Sequence, residues 1–216
     1  SGRNIYASDP LGIPSRSSYS YGCKIADKFV QSYLQENGDW PKSTIIDLWC
    51  SSTLRTSGEE FSMALSLLGA KPIWTDGTEK VSGIEILPIA LLDKPRVDVT
   101  LRVSGLFRDI FPNLSILFNQ VIDALSKRDE SSDWNPFVEL KKTSRVFGPK
   151  PGSYGINGDF DNSKTFEIDK KAIGESWLES SSWAINGNEY RQELGQIKKR
   201  VEHTETFIHF QDLIEN

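Results

Sequence analysis

Two segments of the sequence share one order of patterns, and this order constrains the fold more than any other feature. Each begins with a short run of β-branched or alternating apolar residues, at 44–49 and at 96–103. Each then continues through a polar stretch into apolar residues spaced three and four apart, at 61–68 and at 114–125. The first pattern favours strands and the second favours amphipathic helices. Two strand-to-helix transitions predict an α/β fold, with a mainly parallel, Rossmann-like sheet flanked by helices.

Other elements of the first part are also indicated by periodicity. Apolar residues recur at helical spacing within residues 17–35, and Gly38 is placed to end that helix. Short strands are predicted at 71–74 and near 84–87, because both stretches are apolar and bounded by turn residues. These elements belong to an α/β part that we assign to residues 1–126.

The second part of the chain has a different pattern. Residues 127–133 form a charged connector without apolar periodicity, so we divide the chain there. Residues 127–216 are predicted to be mostly helical. The helical stretches predicted in this part are 135–145, 167–183 and 189–201.

Composition excludes several classes of function. With a formal net charge of -5 and an isoelectric point near 5.2, the chain is a poor partner for nucleic acid. No apolar run is long enough to span a membrane. Cys23 and Cys50 match no metal-finger or redox spacing, which predicts reduced thiols in a cytoplasmic protein. The sequence begins at Ser1 without an initiator Met, and we interpret it as a truncated piece of a longer chain.

The first candidate site is the polar segment at residues 51–60. It follows one predicted strand and precedes a helix, so its hydroxyl and backbone N–H groups could hold an anion, and Arg55 adds a positive charge. The alternative is purely structural. Ser57 with Glu60 three residues later matches a capping box, which needs no ligand.

The second candidate site follows the other predicted strand, at residues 104–113. Arg102, Arg108 and Asp109 lie near the expected end of that strand, where guanidinium groups could bind a carboxylated substrate. Alternatively, Arg108 and Asp109 form a surface ion pair worth about 0 to 1 kcal/mol.

Two further segments carry weaker signals. Residues 145–155 contain glycine and proline but match neither a dinucleotide-binding loop nor a Walker A loop, so we predict no nucleotide site. Near the end of the chain, His209 and Asp212 could supply an imidazole and a carboxylate for metal binding or proton transfer. No second histidine stands at metal-ligand spacing, so the metal ligands are left open.

Taken together, several segments resemble one family. The segments are residues 2–6 (GRNIY), 55–59 (RTSGE), 95–105 (PRVDVTLRVSG), 107–113 (FRDIFPN) and 145–155 (RVFGPKPGSYG). In this order they are similar to the CobN and magnesium chelatase H large subunits. The segments 95–105 and 107–113 are the most specific, and they look more like the cobalt branch than the magnesium branch.

The resemblance implies a function and a set of partners. Members of this family insert a divalent metal into a tetrapyrrole, with ATP used by an AAA+ ATPase subunit and its companion subunit. The metal is therefore a substrate, with cobalt favoured and magnesium as the alternative. The macrocycle implied is hydrogenobyrinic acid a,c-diamide, a precursor in cobalamin biosynthesis, or protoporphyrin for a magnesium enzyme.

The resemblance also suggests roles for residues. Glu59, His209 and Asp212 are predicted to assist loss of the inner N–H protons or delivery of the metal. The predicted substrate-binding residues are Arg55, Thr56, Arg102, Ser104, Arg108 and Asp109. Trp49 and Phe107 could pack against the ring or belong to the core.

Three alternatives remain open at the level of sequence. The chain could belong to a magnesium chelatase, could bind a tetrapyrrole without catalysis, or could be a structural domain that docks the ATPase subunits. The family pattern normally continues into an acidic segment beyond residue 212, and this chain ends at Asn216. We therefore expect the chain to be inactive by itself.

Overall fold

A six-stranded sheet with helices on both faces organises the chain. The structure is a computed structural model, and it describes residues 10–140, 143–154 and 175–209. The helices are α1 (Arg16–Asn37), α2 (Cys50–Thr56), α3 (Glu59–Leu68), α4 (Ile89–Leu92), α5 (Gly105–Ile110), α6 (Pro112–Ser126), α7 (Glu175–Ser180) and α8 (Leu194–His203). The strands are β1 (Ser43–Leu48), β2 (Ala70–Trp74), β3 (Val81–Ile86), β4 (Asp98–Val103), β5 (Val146–Gly148), β6 (Trp183–Asn186), β7 (Glu189–Gln192) and β8 (Thr206–His209).

The strand order of the main sheet is β7-β6-β5-β4-β1-β8. β8, β1, β4 and β5 are parallel to one another, and β6 and β7 add an antiparallel edge. β2 and β3 form a separate antiparallel pair. The prediction of a mainly parallel sheet flanked by helices is therefore confirmed.

The two faces of the sheet bury different side chains. Ile46 and Leu101, which lie opposite each other on β1 and β4, belong to a large core with Phe61 of α3 and Phe118 of α6. Ile45 points to the other face, where a smaller core contains residues of α7 and α8. Burial on both faces explains why β1 and β4 read as nearly continuous apolar runs.

Helix α1 packs closely against α3, and a glycine makes this possible. A Cβ atom at Gly22 would lie 2.5 Å from the Cβ atom of Ser62 and 2.7 Å from the backbone nitrogen of Met63. Ser15 and Ser18, at the start of α1, also contact the end of α2: the Ser15 N–H donates to the Ser57 carbonyl and the Ser18 hydroxyl donates to the Thr56 carbonyl. Helix α1 therefore fixes the position of the turn between α2 and α3.

The segment after β1 differs from its prediction. The sequence predicts a polar loop at residues 51–58, but α2 occupies most of this range. Ser and Thr favour caps and turns in isolation, whereas here Cys50 and Thr53 are buried against the rest of the chain. Tertiary packing outweighs the local preference.

The described part of residues 127–216 is less helical than the sequence indicates. The range 135–145 contains a single 3₁₀ turn at Pro136–Val138, and the stretches predicted as helices near 183 and 189 contribute β6 and β7. Helix α7 and helix α8 lie largely within two of the predicted stretches. Period-based prediction fails for β5 and β6 because strands of three or four residues are too short to show a pattern. The sheet runs across residue 127, and the division of the chain there stays a prediction.

Within the described residues, no helix is both long enough and apolar enough to cross a membrane.

Candidate functional site

The two candidate segments lie at the same edge of the sheet. β1 and β4 are adjacent and parallel, with Leu48 opposite Val103 at their carboxyl ends. β1 leads into α2 and β4 leads into α5, and these two helices contact each other. Ligands of open parallel sheets commonly bind at this end of the strands.

A tight turn joins α2 to α3 and replaces the predicted capping box. Ser57 adopts a left-handed conformation with φ of 56° at the end of α2, and Gly58 follows with φ of 92°. Ser57 is therefore not the N-cap of α3. Instead, the hydroxyl oxygen of Thr56 accepts a hydrogen bond from the Glu59 N–H, at 3.1 Å.

The carboxyl group of Glu60 points into the protein rather than back to the cap. It accepts hydrogen bonds from the hydroxyl groups of Ser52 and Thr53, the latter at 3.4 Å, and the residue is only 1% exposed. Burial raises the pKa of Glu60 to about 7, although the two hydroxyl groups and Arg55 act in the opposite direction. This carboxyl can exchange a proton near neutral pH.

Glu59 and Arg55 form the more accessible rim of the same turn. Glu59 is half-buried, and burial raises the pKa of its carboxyl while the charge of Arg55 lowers it. Arg55 is exposed in the last turn of α2. The α2–α3 turn therefore carries two carboxyl groups with raised pKa values and one exposed guanidinium.

Arg102 is buried and already has protein partners. Its Nη1 lies 3.3 Å from a carboxylate oxygen of Asp47, and its Nε donates to the Ser181 hydroxyl at 3.1 Å. The indole rings of Trp49 and Trp177 flank the guanidinium, with centroids 5.7 and 5.8 Å from its central carbon. These contacts suit a residue that positions the strand ends, and its predicted contact with substrate stays a prediction.

The second segment begins with a capped helix. The Ser104 hydroxyl accepts from the Phe107 N–H and caps α5, which gives this side chain a structural partner. Phe107 is buried in the large core, so it does not reach a ligand at this edge. Arg108 is also buried, and its Nε donates to the Asp109 carboxylate at 2.7 Å. This bond is the main reason that the pKa of Asp109 is lowered.

The predicted catalytic residues near the end of the chain are only partly described. The backbone of His209 lies opposite Asp47 in the parallel ladder of β8 and β1. The side chain of His209 and the whole of Asp212 lie outside the described residues. In the part of the chain that the structure describes, no three His, Cys, Asp or Glu side chains form a group that could hold a metal ion.

Sequence reasoning missed two residues of this edge. The sequence pattern places Asp47 in a buried strand, and a lone carboxylate in such a run requires a charged partner, which is a signal for Arg102. The capping-box pattern assigns Glu60 to a cap, although its companion Glu59 and the preceding hydroxyl residues mark a polar cluster. Both omissions concern contacts between residues on different elements.

A separate cavity of about 390 Å³ lies away from this edge. It runs between α6 and the β6–β7 edge, and its lining includes Asn119, Arg145 and Tyr190. It therefore does not join the α2–α3 turn to α5.

Comparisons with known proteins give a consistent result. A family model described as CobN/Magnesium Chelatase matches residues 1–215. The aerobic cobaltochelatase protein CobN of Pseudomonas aeruginosa is 33% identical over 98% of this chain and 19% of its own length. The H-type magnesium-chelatase protein of Chlorobaculum parvum is 28% identical over 93% of this chain and 17% of its own length.

A solved structure gives the same picture. The structure of the catalytic subunit of cobaltochelatase from Mycobacterium tuberculosis matches with a TM-score of 0.78 and 29% identity, over 92% of this chain and 18% of that protein. The chain spans about a fifth of the length of these relatives.

Proposed function

The chain belongs to the CobN/magnesium chelatase family, and on that premise we propose that it forms part of the tetrapyrrole-binding large subunit of an ATP-dependent metal chelatase. The observation that carries this proposal is the position of the α2–α3 turn beside α5, at the carboxyl ends of β1 and β4. This edge combines carboxyl groups suited to proton transfer with guanidinium groups suited to ring carboxylates.

We assign the metal substrate to cobalt and the macrocycle to hydrogenobyrinic acid a,c-diamide. The support is the higher identity and coverage of the CobN relative, 33% over 98% of the chain. The magnesium-chelatase relative, at 28% over 93%, keeps magnesium and protoporphyrin as the second candidate pair.

Metal insertion needs a proton acceptor. A divalent metal replaces the two inner N–H protons of the ring, so two protons must leave as the metal–nitrogen bonds form. Glu59 is our choice for the acceptor at the ring, because it is partly accessible and burial raises its pKa. Glu60 lies beside it on α3 with a pKa of about 7 and can take protons onward. His209 and Asp212 remain candidates for the same task.

The remaining predicted residues divide into two roles. Arg55, Thr56, Arg108 and Asp109 are assigned to the periphery of the macrocycle. Arg102 and Ser104 are assigned to positioning, because Asp47 and the α5 backbone already occupy them. ATP is used by AAA+ and companion subunits that bind elsewhere on the large subunit.

The test is metal insertion by the full-length large subunit with its ATPase partners, with Glu59→Gln compared to wild type. We expect the rate constant of cobalt insertion to fall at least tenfold, since general acid–base groups contribute about 10²- to 10⁴-fold. Ring binding, followed by quenching of tryptophan fluorescence, should change little. Glu36→Gln, an exposed position on α1, is the matched control and should leave both quantities unchanged.

Two results would contradict the proposal. A wild-type chain that binds neither the corrin precursor nor protoporphyrin would remove the substrate assignment. Insertion at the wild-type rate by Glu59→Gln would remove the role of this carboxyl.

A further inference from the structure

Arg108 uses only part of its hydrogen-bonding capacity. Its Nε donates to the Asp109 carboxylate, and its Nη1 donates to the carbonyl oxygens of Pro149 and Lys150 at 2.8 and 2.9 Å. A guanidinium has five N–H donors, so these bonds account for three of them. The two remaining donors are on Nη2, which is buried and has no hydrogen-bond partner.

An unpartnered nitrogen on a buried charged group is costly. Leaving such a donor without an acceptor costs more than the net gain from an ordinary hydrogen bond, so buried donors of this kind are rare in native proteins. Arg108 is 2% exposed, and solvent therefore does not satisfy Nη2. The arrangement requires a reason that lies outside the protein's own hydrogen bonds.

Two tyrosine rings flank the guanidinium. The ring centroids of Tyr154 and Tyr190 lie 5.6 and 5.9 Å from the central carbon of Arg108. Such contacts stabilise the charge but accept no hydrogen bond in the plane of the guanidinium. Of the two, Tyr190 is half-buried on β7, whereas Tyr154 is 59% exposed and its hydroxyl donates to the Asp109 carboxylate at 2.5 Å.

The backbone around Arg108 is closely packed. A Cβ atom at Gly105 would overlap the Ser153 carbonyl oxygen, so the turn at residues 150–154 lies directly against the start of α5. Arg108 binds that turn through its Nη1. The guanidinium is therefore held in one orientation, and its free Nη2 is a preorganised donor whose exposed cover is the Tyr154 ring.

We propose that Arg108 Nη2 binds a carboxylate oxygen at the periphery of the macrocycle, and that Tyr154 is the residue displaced to admit it. This inference rests on the proposed function, because the ligand is a side chain of the same ring. A carboxylate fits better than an amide carbonyl, since a charged acceptor forms the stronger bond to a guanidinium.

The test changes the ligand as well as the protein. Affinities are measured by tryptophan quenching for hydrogenobyrinic acid a,c-diamide and for the same compound with its remaining carboxylates methylated. We expect wild type to bind the acid about tenfold or more tightly than the ester, as for loss of one charge-assisted bond. Arg108→Gln should bring the acid-to-ester ratio close to that of a ring held by Arg55 alone, at least severalfold lower than wild type.

Tyr154→Ala separates the two parts of the inference. It removes the cover but keeps the donor, so the acid-to-ester ratio should be retained and the association rate constant for the acid should rise. Ile116→Ala, another exposed large side chain, on α6, is the control and should change neither quantity.

A measurement on wild-type protein covers the case in which Arg108→Gln does not fold. In spectra of chain labelled with ¹⁵N-arginine, the side-chain signal of Arg108 should shift on addition of the acid and not of the ester. Equal shifts with both compounds, or equal acid-to-ester ratios in wild type and Arg108→Gln, would overturn the assignment. Absence of any ring binding by wild type would instead overturn the proposed function and the inference with it.

Discussion

Asp47 and Arg102 lie opposite each other on adjacent parallel strands, and their side chains form an ion pair of 3.3 Å that is almost fully buried. Trp49 donates to the second carboxylate oxygen of Asp47 at 3.0 Å. The pair therefore ties β1 to β4 at the edge where the candidate site lies.

Removal of one member of this pair should be strongly destabilising. Asp47→Ala leaves the charge of Arg102 buried, and we expect the free energy of unfolding to fall by about 3 to 5 kcal/mol. In the double variant Asp47→Leu/Arg102→Met, at least half of that loss should be recovered because no buried charge remains. Urea unfolding followed by circular dichroism measures both values, and a loss in the single variant no larger than in the double one would contradict this account.

The close packing of α1 on α3 gives a second prediction. Gly22→Ala forces a methyl group against Ser62 and Met63, and overpacking of this kind costs about 1 to 3 kcal/mol. Gly195→Ala in α8 is the matched control, since a Cβ atom there meets nothing within 4 Å. The control should stabilise the chain by about 0.4 to 1 kcal/mol, because alanine restricts the unfolded chain more than glycine. Thermal unfolding of the two variants should therefore shift in opposite directions.

Glu60 predicts the pH dependence of stability. Its pKa is about 7 in the folded chain and near 4.5 when unfolded, so the folded state binds the proton more tightly. Between pH 4.5 and about 7 this group should therefore lower stability as pH rises, by about 2 to 3 kcal/mol in total. Glu60→Gln removes the contribution, and the difference in unfolding free energy between wild type and variant should change across this window. A difference that is constant with pH would rule out the raised pKa.

Arg55 should control the protonation of both carboxyl groups in the α2–α3 turn. Its charge lowers the pKa of Glu59 and of Glu60, so Arg55→Ala should raise both values. Arg55→Lys keeps the charge and should change them less. NMR titration of the glutamate side-chain carboxyl carbons measures this directly, and unchanged midpoints in Arg55→Ala would show that the charge is too distant to act.

Long, strongly patterned elements can be predicted from sequence. Helix α1, helix α6 and strand β4 lie close to their expected positions, because each has apolar residues that must be buried. The family resemblance is likewise readable from residues 95–113, and it is confirmed by the match over residues 1–215. The short strands β5 and β6 cannot be found in this way, since their pairing is set by contacts between segments that are separated along the chain.

The amino-acid sequence by itself determined the α/β class, the order of its main elements, the family, and the residue types available for chemistry. Only the tertiary structure decided which of these residues are free to act. It paired Arg102 with Asp47, turned Glu60 inward onto Ser52 and Thr53, and left Arg108 Nη2 without an acceptor. The physical reason is that burial and hydrogen-bond partners, which set the charge and availability of a side chain, come largely from elements that are distant along the chain.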